Sequence, residues 1–171
     1  MVAFIGTKLI QASPMTRGEY NTYRGWSAPE GEDQSVAGYL VEYLDGGTGN
    51  HPDHTGYISW SPADVFEKSY RATDGISFGL AIEALKLGKR VARKGWNGKG
   101  MYLWILPAAM VKAEWCREPH LKEVAESAGG EIECLGSIRM WTVNAEGRRA
   151  VLTGWLASQT DMLSDDWEIL D

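Results

Sequence analysis

The sequence has few of the residues that most often announce a chemistry. Its two cysteines, Cys116 and Cys134, form no CxxC pair. That excludes a zinc ribbon or a disulfide scaffold, and both are read as reduced thiols. Of three histidines, His51 and His54 lie close together with Asp53 between them. The pair lacks a third and fourth strong ligand, so no metal is assigned and the stretch reads as a solvated loop. No apolar run approaches the roughly 18–20 residues that span a bilayer. The start, Met1-Val2-Ala3-Phe4-Ile5-Gly6, lacks the basic region and apolar core of a secretory signal. A soluble, intracellular protein with no membrane partner is expected. GxSxG, HExxH, Walker and dinucleotide fingerprints are all missing. The sequence therefore names no catalytic residue and no cofactor.

Positive charge is also scarce and uneven. The net charge of −6 argues against a binder of polymeric nucleic acid, which needs a cationic field. Residues 1–73 hold only Lys8, Arg17, Arg24, Lys68 and Arg71, whereas Lys89, Arg90, Arg93, Lys94 and Lys99 crowd into one short run. Such a cluster is enough for a small anionic ligand. Aromatics are plentiful, with eight Trp and seven Tyr in 171 residues. Flat side chains fill cores, and they also stack on bases and pack interfaces.

The chain is organised around residues 76–107. Ser77 is placed to cap a helix whose Phe78, Ala81, Ile82 and Leu85 share one face. Gly88 suits a left-handed stop, because it has no Cβ to penalise positive φ. A basic strand over 89–94 and an apolar strand over 101–106 follow, joined by a turn at Asn97-Gly98, residues that accept positive φ. Pro107 ends the second strand. The product is a helix laid on a hairpin.

Upstream, residues 1–11 and 39–44 read as strands, and 57–60 resumes a strand after a long tip. Thr16 with Glu19 spells a capping box. Ser61 with Pro62 opens a short helix. Residues 1–73 are thus expected to be a small β-rich module of unknown role. Residues 112–118 are ambiguous. Beyond them lie a helix over 119–128, a hairpin over 138–152, a short helix capped by Ser158 and Asp161, and a closing strand at 167–170. The fold class expected is α+β, an antiparallel β-sheet packed on a helix, with the second domain spanning 74–171.

Two stretches carry a resemblance. The run from Phe78 through Lys94-Gly95-Trp96-Asn97-Gly98-Lys99-Gly100-Met101, and the ending Trp155-Leu156-Ala157-Ser158-Gln159-Thr160-Asp161-Met162-Leu163-Ser164-Asp165-Asp166-Trp167, resemble two motifs of the second type of phage Thoeris anti-defence protein. Members of that family act as sponges. They bind cyclised ADP-ribose signals made by bacterial TIR proteins and, in some members, cyclic dinucleotides. The resemblance implies a non-enzymatic protein of the host cytoplasm that acts as a homo-oligomer, a dimer or a tetramer, with pockets between protomers. Residues 112–137 and the N-terminal module depart from the usual shorter pattern.

Such a ligand calls for an aromatic platform, cations and a few acceptors. Trp96 is placed at the turn as the platform, with Arg93, Lys94 and Lys99 to meet phosphate. Asn97 serves either the ligand or the turn. Trp155, Ser158, Gln159, Asp161 and Trp167 form the second group, in which Asp161 takes a ribose hydroxyl or caps its helix. Phe78 completes the set, though helix core explains it better. Asp161, Asp165 and Asp166 read as capping and surface carboxylates. A phosphodiesterase of the same signals, or a phage interaction module, are the alternatives.

Overall fold

The computed structural model describes residues 2–3, 7–98 and 100–170. The chain divides into two compact units, Met1–Ala72 and Thr73–Asp171. Both are α+β with antiparallel sheets, as the sequence patterning requires.

In the first unit, strands β1 (Gln11–Pro14), β2 (Gly38–Tyr43) and β3 (Tyr57–Pro62) form a sheet in that order. Helix α1 (Arg17–Tyr23) falls between β1 and β2 in sequence, and α2 (Ala63–Ser69) follows β3. The Thr16–Glu19 capping box is present in both directions and starts α1. Tyr20, Leu40 and Ile58 make the buried centre, with Met15 and Trp60 against it. Two expectations shift. Among the described residues the first strand begins at Gln11, its register set by pairing Gln11–Pro14 with Glu42–Tyr39 of β2, and residues 1 and 4–6 of the expected strand lie outside the described residues. Pro62 is the last residue of β3 and the cap position of α2, so the helix starts one residue later than Ser61-Pro62 suggests and has no side-chain cap.

The second unit is a five-stranded sheet carrying a helix. Helix α3 (Phe78–Lys86) is followed by β4 (Val91–Arg93), β5 (Tyr102–Leu106), β6 (Ala109–Lys112) and a 3-10 turn at Ala113–Trp115. Then come α4 (Pro119–Ser127), β7 (Glu131–Cys134), β8 (Ser137–Val143), β9 (Arg149–Thr153), α5 (Gln159–Leu163) and β10 (Trp167–Ile169). The large sheet runs β10-β4-β5-β8-β9, and β6 pairs with β7 alone. The last strand therefore lies beside the first, so the two ends of the unit meet.

Helix α3 packs its apolar stripe on one sheet face. Ala81, Ala84 and Leu85 meet Val91, Leu103, Met140, Ile76 and Trp167 in one buried core. Gly88 ends the helix at φ 80°. Ser77 holds the cap position, but its side chain makes no capping bond.

The expected tight turn is a longer loop. No non-glycine residue among those described has positive φ, and the left-handed position falls at Gly100 (φ 74°), not at Asn97-Gly98. The cause lies across the sheet. The Lys94 amide donates to the Asp166 carbonyl at 3.1 Å, and the Gly95 amide donates to Asp166 Oδ2 at 2.8 Å. These bonds draw the chain toward β10 and away from β5, so β4 is short.

Candidate functional site

The loop after β4 and the segment that carries α5 converge on a carboxylate–guanidinium centre. Arg93 Nε donates to Asp166 Oδ1 at 2.7 Å and its Nη2 to Asp166 Oδ2 at 3.2 Å, while Nη1 donates to Asp161 Oδ1 at 2.8 Å. A planar fork suits this, since one arginine satisfies two carboxylates without losing planarity. The side chains of Arg93 and Asp161 are 9% and 12% exposed. The ion pair is therefore weakly screened by water, and its geometry decides its worth.

Asp161 is the hub. Besides Arg93 it accepts from Trp96 Nε1 at 3.0 Å, from the Ser158 amide at 3.0 Å and from Ser158 Oγ at 2.7 Å. The Ser158 hydroxyl in turn accepts from the Asp161 amide, so the capping box that starts α5 also fixes the carboxylate. The Asp161 backbone carbonyl accepts from Trp167 Nε1 at 2.9 Å. Burial pushes the Asp161 carboxyl up, but the bonds from Ser158, Trp96 and Arg93 outweigh it and hold the group far below the usual carboxylate range. Asp166 is also lowered, chiefly by Arg93, and Arg93 is raised, chiefly by Asp166.

Four aromatic rings wrap this centre. Trp96 lies 5.4 Å from Trp167 and 6.1 Å from Trp155, both edge-on. Phe78 lies 5.3 Å from Trp167 and 6.5 Å from Trp155. Trp167 is fully buried; Phe78, Trp96 and Trp155 keep part of their surface. Edge-on packing at these separations adds to what area burial alone provides.

The structure thus gathers Phe78, Arg93, Trp96, Trp155, Ser158, Asp161 and Trp167. Lys94, Asn97 and Gln159 sit on the exposed rim, where Lys94 Nζ lies 3.6 Å from Asp74. Lys99 falls outside the described residues. Three roles differ from the sequence expectation. Arg93 has its fork occupied by Asp166 and one further nitrogen by Asp161. Trp96 turns its indole N–H inward to Asp161 and is half-buried rather than a turn-tip platform. Trp167 is core. One participant was misread: Asp166 looked like a surface carboxylate, yet it grips Arg93 and the Gly95 amide. Its signal was its place immediately before the buried Trp167 in β10.

Among the described residues, no three His, Cys, Asp or Glu side chains are gathered as a metal requires. His54 instead has Nδ1 on Glu42 at 2.8 Å and Nε2 on the Tyr23 hydroxyl at 2.9 Å, while His51 stacks on Tyr23 at 4.4 Å. No helix among those described is long and apolar enough to cross a membrane.

An internally saturated ion-pair centre ringed by partly open aromatics, with polar side chains on the rim, defines a small α+β domain in which two separated segments build one surface. Residues 76–170 match the family described as Tad2-like, the Thoeris anti-defense 2-like domain. The chain belongs to that family. Thoeris anti-defense 2 of Bacillus phage SP01 is 31% identical over 102 residues, covering 56% of this chain and 94% of the phage protein. Membership supports a phage role against Thoeris defence.

Proposed function

We propose that the protein sequesters a cyclic nucleotide signal, a cyclised ADP-ribose or a cyclic dinucleotide, and so keeps a host effector unactivated. The observation that carries this reading is the convergence of two segments into one aromatic cluster whose charged centre is already satisfied. Arg93, Asp161 and Asp166 spend their bonding on each other. They are a frame, which leaves the open ring surfaces of Phe78, Trp96 and Trp155 to stack on a base. Lys94, Asn97 and Gln159 at the rim supply a cation and polar groups for phosphate and ribose. A rigid frame lowers the cost of ordering the site on binding.

Under this reading no bond of the ligand breaks. The carboxylate best placed for acid–base work, Asp161, is held ionised by four donors and is a poor proton acceptor. Leu156, before α5, and Leu163, its last residue, are 87% and 82% exposed. Apolar side chains so exposed beside the site suit coverage by a second protomer, in a homo-oligomer working in the host cytoplasm. Calorimetric titration with cyclised ADP-ribose isomers tests the assignment. Gln159→Ala with Lys94→Ala, both on the rim, should weaken binding at least about tenfold without lowering the melting temperature, about 1.4 kcal/mol of affinity. Unchanged affinity in that pair places the ligand elsewhere.

A further inference from the structure

The sheet face opposite α3 carries a second constellation that the motif cluster does not use. Met101, Leu103, Ile105, Ile138 and Met140 point toward α3. Alternation then puts Tyr102 and Trp104 of β5, and Arg139 and Trp141 of β8, on the other face. The register sets Tyr102 opposite Trp141 and Trp104 opposite Arg139. Tyr102 lies 5.8 Å from Trp104 and stacks with Trp141 at 6.3 Å and 25°. Arg149, opposite Val143 on β9, extends its guanidinium over the Trp141 ring at 5.9 Å. All three rings are half-buried, so each keeps surface that solvent reaches.

Two features separate this face from an ordinary solvated sheet. Arg139 Nε is buried and has no hydrogen-bond partner. A buried guanidinium donor without an acceptor is costly, and it sets Arg139 apart from an arginine on an ordinary solvated sheet. The charge is also local. Arg139 and Arg149 flank the rings, and the Arg90 guanidinium lies 5.1 Å from the Tyr102 ring centroid, in a chain whose net charge is −6. Cations among aromatic rings suit a flat, anionic partner.

We propose that this open sheet face binds short linear single-stranded oligonucleotides. Two or three bases stack on Trp104, Tyr102 and Trp141, and phosphate oxygens accept from Arg139 and Arg149. Open antiparallel sheets with exposed aromatics recognise single strands in this way. Binding rests on stacking and two cations, so the chain's negative balance limits it to short single strands. The inference does not rest on the proposed signal site, which lies on the α3 side of the sheet.

The test is fluorescence anisotropy of a fluorescein-labelled linear hexa-adenylate titrated with the full chain. Trp104→Ala should weaken binding about tenfold or more. With two phosphates engaged, the slope of log K against log salt should be near −1.4, and Arg139→Gln should flatten it by about 0.7. Because Trp104→Ala removes a large side chain, the pair Arg139→Gln and Arg149→Gln serves as a second variant, and melting curves confirm that each folds. Saturating cyclised ADP-ribose should leave the anisotropy unchanged, so failure here is distinct from failure of the signal site. Three results overturn the proposal: no binding at millimolar protein, binding that none of the substitutions alters, or a dimer in sedimentation that Trp104→Ala dissolves while hexa-adenylate stays unbound.

Discussion

Replacing Arg93 with methionine should unfold the second unit at far milder conditions, although sequence alone offers Arg93 as a ligand contact. Methionine keeps much of the side-chain volume and removes the charge. The change leaves Asp161 and Asp166 ionised, partly buried and short of a partner. Removing one member of a buried pair costs about 3–5 kcal/mol. The low end applies, about 3 kcal/mol, because the Asp166 side chain keeps 31% exposure while Arg93 keeps 9%. For a unit of about 100 residues that lowers the melting midpoint by roughly 12–24 °C.

The pH dependence sharpens the test. Both carboxyls titrate below their ordinary values in the folded protein. Their contribution is therefore complete above the unfolded value of about 4. It is lost as pH falls through the folded values. In Arg93→Met the depression is smaller, so stability falls less steeply between about pH 5 and pH 2. Urea unfolding followed by near-ultraviolet circular dichroism, at pH 7 and again near pH 3.5, reads both effects. A loss under about 1 kcal/mol with an unchanged acid slope would show the pair to be a screened surface contact and refute the reasoning.

Further outcomes follow from the same centre. Gly95→Ala puts a Cβ 2.6 Å from Asp166 Oδ2, so it should displace the carboxylate and cost about 1.5–3 kcal/mol in the same urea assay. Trp96→Phe removes one donor from Asp161 while keeping an aromatic ring. It should destabilise by about 1.5 kcal/mol and make the acid slope shallower. Ser158→Ala removes the cap of α5 and the hydroxyl donor to Asp161, while the backbone amide donor survives. Its cost should be about 1–2 kcal/mol, read as a lower melting temperature of the second unit alone. Thr16→Ala breaks the matching box in the first unit and should cost about 1 kcal/mol there, leaving the second unit's melting point unmoved.

Local features were readable from the sequence and distant pairings were not. Gly88 as the stop of α3 and the boxes at Thr16–Glu19 and Ser158–Asp161 are decided within a few residues. The grip of Asp166 on Arg93 spans 73 positions, and no periodicity or spacing announces it. It also explains why the Asn97-Gly98 turn does not form, since bonds from Lys94 and Gly95 to Asp166 redirect the chain before the turn residues are reached. Trp96 was read as exposed because it sits in a turn, yet a carboxylate accepting its indole N–H outweighs loop position. Trp167, expected in the ligand group, is buried in the core, whereas Phe78 packs against that core and keeps part of its surface. The two families of aromatic residues, one on each sheet face, become separable only once the strand register is known.

The proposed function requires that the molecule hold a signal without altering it. The direct measurement is to saturate the protein with a cyclised ADP-ribose, remove the excess, denature by heat and chromatograph what is released. Sequestration predicts stoichiometric recovery of the intact ligand after hours of incubation. Release of a linear or hydrolysed product would contradict it and make the Trp96 cluster an active site.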